Sequence, residues 1–119
     1  MSDFQTALDA FDRQNYTEAF NLLTPLAEGG SSEAQCVMGN MYQLGLGVEK
    51  NVSTAINWYV KASVGGNAIA ANNLGGIYLV GDDGIPPDAN QAQKWYSRAR
   101  ELGFEHTPAL SNLRSPAAL

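Results

Sequence analysis

Few residues in this chain could carry bond chemistry. There is one histidine, His106, and one cysteine, Cys36. A thiol nucleophile needs a general base beside it, and His106 lies far along the chain. His106 sits in Glu105-His106-Thr107-Pro108 with no cysteine or carboxylate partner at ligand spacing, so it is read as a surface residue and not as a metal ligand. Cys36 falls within a helical segment and is read as a small buried apolar side chain. Asp82-Asp83-Gly84 starts like half a calcium loop. Ile85, Pro86 and Pro87 then stand where further ligands are needed, so an exposed turn is expected. Gly45-Leu46-Gly47 has no preceding strand, no third glycine and no following Lys-Ser/Thr. It is a hairpin turn needing positive φ, not a phosphate loop. No convergent titratable cluster is visible, so the chain is expected to be no enzyme and to hold no cofactor or metal.

The remaining polar features suit binding. Asn72-Asn73 stand mid-helix despite low helix propensity. Asn73 is read as bonding a neighbouring loop carbonyl. For Asn72, a structural bond and a bond to a partner's backbone both stay open. Lys94 and Arg98 share a helix face, with Arg100 nearby, as a solvated basic side. The net charge is −5 and the pI about 4.6. That balance disfavours a phosphate-binding surface, so no nucleic-acid partner is expected. Residues 1–49 hold seven acids and one base, whereas residues 50–119 hold five acids and six bases. The acidic half favours partners with basic segments.

The elements that must position these residues follow from length and pattern. A chain of 119 residues with 45% apolar and 16% charged residues is one globular domain, 1–119. No apolar run reaches the 18 residues of a membrane-span candidate, and no signal peptide is visible. A lone cysteine cannot build a disulfide framework, so a cytoplasmic setting is expected. The chain also repeats itself. Ala34, Gly39, Tyr42 and Gly45 recur 36 positions later as Ala70, Gly75, Tyr78 and Gly81. Gly47, Val48, Asn51, Ala55, Trp58, Tyr59, Ala62 and Gly66 recur 37 positions later as Gly84, Ile85, Asp88, Ala92, Trp95, Tyr96, Ala99 and Gly103. A weaker copy, Ala19, Leu22, Leu23 and Leu26, precedes them. Within each copy the apolar spacing is i, i+3, i+4, i+7, one stripe of a helix.

Punctuation divides the pattern into six helices, about 3–14, 16–28, 32–44, 52–64, 68–80 and 89–102, paired as antiparallel hairpins. Ser2 with Gln5 and Asn15 with Glu18 form capping boxes. Ser31, Asn51, Asn67 and Asp88 are N-caps. Gly29-Gly30, Gly65-Gly66 and Gly103 end helices. Gly39 and Gly75 lie inside helices at about 1 kcal/mol each against Ala. A repeated penalty implies a repeated packing return, expected to be close approach of helix backbones, with Trp58 and Trp95 filling the space between hairpins. Fully packed, Trp95→Ala would cost about 3–5 kcal/mol.

The segment Ala34–Gly66 reads A-x-x-x-M-G-x-M-Y-x-x-G-x-G-V-x-x-N-x-x-x-A-x-x-W-Y-x-x-A-x-x-G-G, and Ala70–Gly103 follows it closely. This pattern resembles the Sel1-like repeat, a relative of the tetratricopeptide repeat. Residues 1–30 resemble a tetratricopeptide-type hairpin, 31–66 and 67–103 are repeats, and 104–119 form a cap and tail, with Leu110 and Leu113 shielding the open end. The resemblance implies an all-α, right-handed α/α solenoid of three helix hairpins, serving as a protein–protein adaptor. Some secreted members of that family carry a disulfide in each repeat, and a chain with Cys36 alone stands outside that branch. By analogy with tetratricopeptide grooves, the first helix of each hairpin lines the concave face. Its groove positions are then Glu33, Cys36, Asn40 and Gln43, followed by Ile69, Asn72, Gly76 and Leu79, extended by Phe4, Leu8 and Phe11. The expected partner is a protein or peptide; the alternative is a self-associating module, a homodimer through an open solenoid end.

Overall fold

The computed structural model describes residues 2–105. His106 and the Thr107–Arg114 cap lie outside the described residues. Six α-helices follow one another: α1 (Asp3–Asp12), α2 (Tyr16–Glu28), α3 (Ser32–Leu44), α4 (Val52–Val64), α5 (Ala68–Val80) and α6 (Ala89–Glu101). Among the described residues there is no β-strand, only an isolated bridge between Asp82 and Ile85. Each helix packs on its neighbours in sequence, and the stack measures 50 × 28 × 22 Å.

Local chemistry explains the boundaries. Ser2, Asn15, Ser31, Asn51, Asn67 and Asp88 each accept a backbone N–H three residues on, at 2.9–3.3 Å. Such a cap contributes about 1 kcal/mol. The boxes close differently from expectation. Gln5 turns forward to donate to Asp9, and the Glu18 carboxylate accepts from the Asn15 side-chain amide while the Asn15 backbone N–H goes to Ala10 O, so neither box closes on its cap's backbone N–H. Helix α1 also stops at Asp12, earlier than its pattern suggests, because Gln14 takes φ 62° and breaks the helical path. In the two full repeats the loop before the second helix is pinned identically. The backbone N–H of Asn51 donates to Tyr42 O at 2.8 Å, and that of Asp88 to Tyr78 O at 2.7 Å.

The interior is a seam of alanines with two tyrosines set into it. Ala7, Ala10, Ala19, Ala34, Ala55, Ala62, Ala70, Ala71, Ala92 and Ala99 are all fully buried. The helical glycines serve the tyrosines. A Cβ on Gly39 would lie 2.5 Å from the Tyr59 ring, and one on Gly75 2.5 Å from the Tyr96 ring. The return on each glycine is thus a tyrosine ring pressed close against a helix, not contact between two backbones. The tryptophans are correspondingly half-buried. Trp58 of α4 closes over the cluster built by α1–α3, and Trp95 of α6 over the cluster built mainly by α4 and α5. They do join hairpins, but their outer faces lie under Lys61 and Lys94, 4.7 and 4.8 Å from the ring centroids. Trp95→Ala should therefore fall below the range expected for a fully packed site.

Candidate functional site

Helices α1, α3 and α5, the first of each hairpin, share one face, and this face carries two depressions. The first, about 360 Å³, is lined by Phe4 and Leu8 from α1, Glu33, Cys36, Val37 and Asn40 from α3, and Asn67 and Ile69. Its floor is mostly apolar, with the exposed Glu33 on its wall. Ile69 is 54% exposed, a large apolar surface left open to solvent. The second, about 350 Å³, is lined by Gln43, Asn72, Asn73, Gly76, Ile77, Val80, Gly81, Asp82 and Tyr96. It is the more polar of the two.

Between them runs a chain of hydrogen bonds that ties adjacent repeats. The Tyr59 hydroxyl lies 2.6 Å from Asn40 Oδ1 and 2.8 Å from Gln43 Oε1, and its single proton is donated to one of these oxygens at a time. Asn73 on α5 donates its amide to Asn40 Oδ1 at 3.3 Å, so its bond goes to a side chain across the repeat and not to a loop carbonyl. Burial, together with the nearby Cys36 sulfur, pushes the Tyr59 hydroxyl pKa upward, so it stays a proton donor at any physiological pH. At the edge, Lys50 reaches from the preceding loop to Asp82 and Asp83, both at 3.1 Å. Asp82 is held below the ordinary carboxylate range first by the Asp83 backbone N–H, then by Lys50 and Gln43. The Asp82-Asp83-Gly84-Ile85 turn closes on itself through paired backbone bonds of 3.0 and 2.8 Å and uses its carboxylates on Lys50. Among the described residues no group of three or more His, Cys, Asp or Glu could hold a metal ion.

The predicted positions divide accordingly. Glu33, Cys36, Asn40 and Ile69 meet Phe4 and Leu8 in the first depression, while Gln43, Asn72 and Gly76 meet in the second. Leu79 lines neither; it packs on the Ala92–Tyr96 pair. Phe11 also turns away, edge-on to Tyr16 with centroids 5.2 Å apart. Cys36 is only 5% exposed, and desolvation pushes its thiol pKa up to about 11, so it offers contact surface and no nucleophile. Asn73, Asp82 and Tyr96 complete the second depression and were not foreseen as part of it. Asp82 belongs to the one-residue insertion between the copies, where repeat spacing gives no register.

A stack of antiparallel helix pairs bonded repeat to repeat, with a shared first-helix face, defines an α/α solenoid of the tetratricopeptide kind. The Sel1 repeat profile matches residues 11–31, 32–67 and 68–104, and the chain belongs to the Sel1 repeat family. A crystal structure of a Sel1 repeat protein from Oxalobacter formigenes is similar, with a TM-score of 0.76 and 36% identity over 85% of this chain and 40% of that one. So is c5321, a protective antigen of uropathogenic Escherichia coli with an SLR fold, with a TM-score of 0.70 and 33% identity over 74% of this chain and 19% of that one. Protein sel-1 homolog 2 of Homo sapiens is 38% identical over 60% of this chain. The ERAD-associated E3 ubiquitin-protein ligase component HRD3B of Arabidopsis thaliana is 31% identical over 74% of it. The chain spans only 10% and 14% of those two proteins. No described helix is long and apolar enough to cross a membrane.

Proposed function

We propose that this chain is a non-enzymatic adaptor that binds an extended polypeptide along the face of α1, α3 and α5. The carrying observation is the open apolar floor of the first depression, with Phe4, Leu8 and the exposed Ile69 beside the carboxylate of Glu33. Such a site takes an apolar anchor side chain with a basic neighbour. The net charge of −5 favours the same basic segments. The reading is also supported by a relative being a component of an E3 ubiquitin-protein ligase. Cys36, buried and without a disulfide partner, fits a reducing, cytoplasmic setting.

The test is selection of binders from a random peptide display library, followed by affinity measurement on Ile69→Asp and Asn40→Ala. Ile69→Asp should weaken the selected peptides at least about tenfold, since a hot-spot contact of this kind carries more than 1 kcal/mol. Peptides whose affinity ignores both changes would remove this face from consideration.

Self-association through an open end is the second reading. Its support is the charge asymmetry between an acidic first half and a basic side of α6 at Lys94, Arg98 and Arg100. Light scattering across a concentration series separates the two, because a monomer throughout eliminates it.

A further inference from the structure

The two full repeats treat their tyrosine hydroxyls differently, and the difference leaves a socket. In the second repeat the Tyr59 hydroxyl is met by Asn40 and Gln43. The positions 36 residues on, which would serve Tyr96, are Gly76 and Leu79. Leu79 is apolar and packed inward. Gly76 has no side chain, and no packing demands that: its backbone is not left-handed, and the nearest atom to an added Cβ is Tyr96 Oη at 3.7 Å, an ordinary contact. Gly39 and Gly75 are obliged to be glycine by tyrosine rings; Gly76 is not. A glycine weakens a helix, and here the only visible return is open space in front of Tyr96. Asn72 lines the same cavity, and its Oδ1, turned away from solvent, has no hydrogen-bond partner. An unsatisfied buried acceptor of this kind is rare and unfavourable, so a ligand donor that the Asn72 side chain turns to meet would relieve it.

We propose that the second depression is a socket for a carboxamide side chain, glutamine or asparagine, of the polypeptide bound on this face. The Asn72 side chain turns so that its Oδ1 accepts the amide N–H of the ligand, whose carbonyl accepts from the Tyr96 hydroxyl. The partner thereby supplies in the third repeat the group that Asn40 supplies in the second. The assignment rests on the groove reading given above but can fail separately from it.

The probes are the display-selected peptides and their synthetic versions. One position should be enriched in Gln or Asn, and replacing it by Met or Glu should weaken binding at least about tenfold, the usual consequence of leaving buried polar groups unpaired. Gly76→Asn places the protein's own amide where Asn40 stands one repeat earlier. It should abolish the preference while leaving the thermal midpoint unchanged or higher. Asn72→Leu, which removes the unpaired acceptor, should abolish it independently. Selected peptides with no carboxamide preference, with Arg or Lys at that position drawn by Asp82, or with a preference that survives both variants, overturn the socket and leave the groove standing. Failure to select any peptide overturns both.

Discussion

At the scale of single residues, three helical glycines of the same chemical type make opposite demands. An alanine at Gly39 or Gly75 would drive a methyl into a buried tyrosine ring at 2.5 Å, whereas at Gly76 it meets only Tyr96 Oη at 3.7 Å. Gly39→Ala and Gly75→Ala should each lower stability by about 1–3 kcal/mol through overpacking. Gly76→Ala should raise it by up to about 1 kcal/mol through helix propensity. Urea unfolding of the three variants checks both signs. Tyr59, fully buried, is where truncation should hurt most, about 3–5 kcal/mol for Tyr59→Ala. The Cys36 thiol, moved from 9.0 to about 11 by burial, holds about a hundredfold less thiolate at neutral pH than an ordinary one. Its alkylation should accelerate by at least that factor on unfolding in urea.

At the scale of elements, the turn between α5 and α6 is held by charge as well as by backbone. Lys50 leaves the α3–α4 loop to clasp Asp82 and Asp83, and so joins the connecting loops of adjacent repeats. Asp82 titrates below its ordinary 3.8 in the folded chain because the Asp83 N–H and then Lys50 favour the charged form. A depressed carboxylate stabilises the fold at pH values above its unfolded pKa, and that contribution disappears as pH falls through the lower folded value. Asp82→Asn should therefore flatten the loss of stability below about pH 4 while slightly lowering stability at neutral pH. Unfolding midpoints measured across pH 2–7 decide it; equal acid sensitivity in both proteins would show the clasp to be incidental.

At the scale of the molecule, three clusters follow one another and are linked by side chains that touch two at once. Tyr42 packs on the first and second, and Tyr78 on the second and third. Energy should accordingly pass between neighbours and fade beyond them. Leu23→Ala in the first cluster and Tyr96→Ala in the third share no partner, so their effects should add within about 0.5 kcal/mol. Met38→Ala and Trp58→Ala meet in one cluster and should couple by more than that. Double-mutant cycles by denaturant unfolding measure both, and strong coupling of the distant pair would contradict a nearest-neighbour solenoid.

Helix number, order and caps were legible in the sequence because they depend on local rules. An apolar stripe at helical period, a polar cap three residues before the N–H it accepts, and a glycine after the last turn act within a few residues of themselves. The family was legible for the same reason, since its spacing is the spacing of one folded unit. What glycine is for was not legible. Gly39, Gly75 and Gly76 differ only in what stands across from them, and that depends on how a tyrosine from the next helix lies. The same holds for the polar face. Asn40 and Asn73 find each other 33 residues apart, Leu79 turns inward where its register suggested the groove, and Asn72, beside a cavity, is left with a buried oxygen that no group meets. Those outcomes are set by the rotation of each helix against its neighbours, which side-chain volumes in three dimensions decide and a one-dimensional period cannot specify.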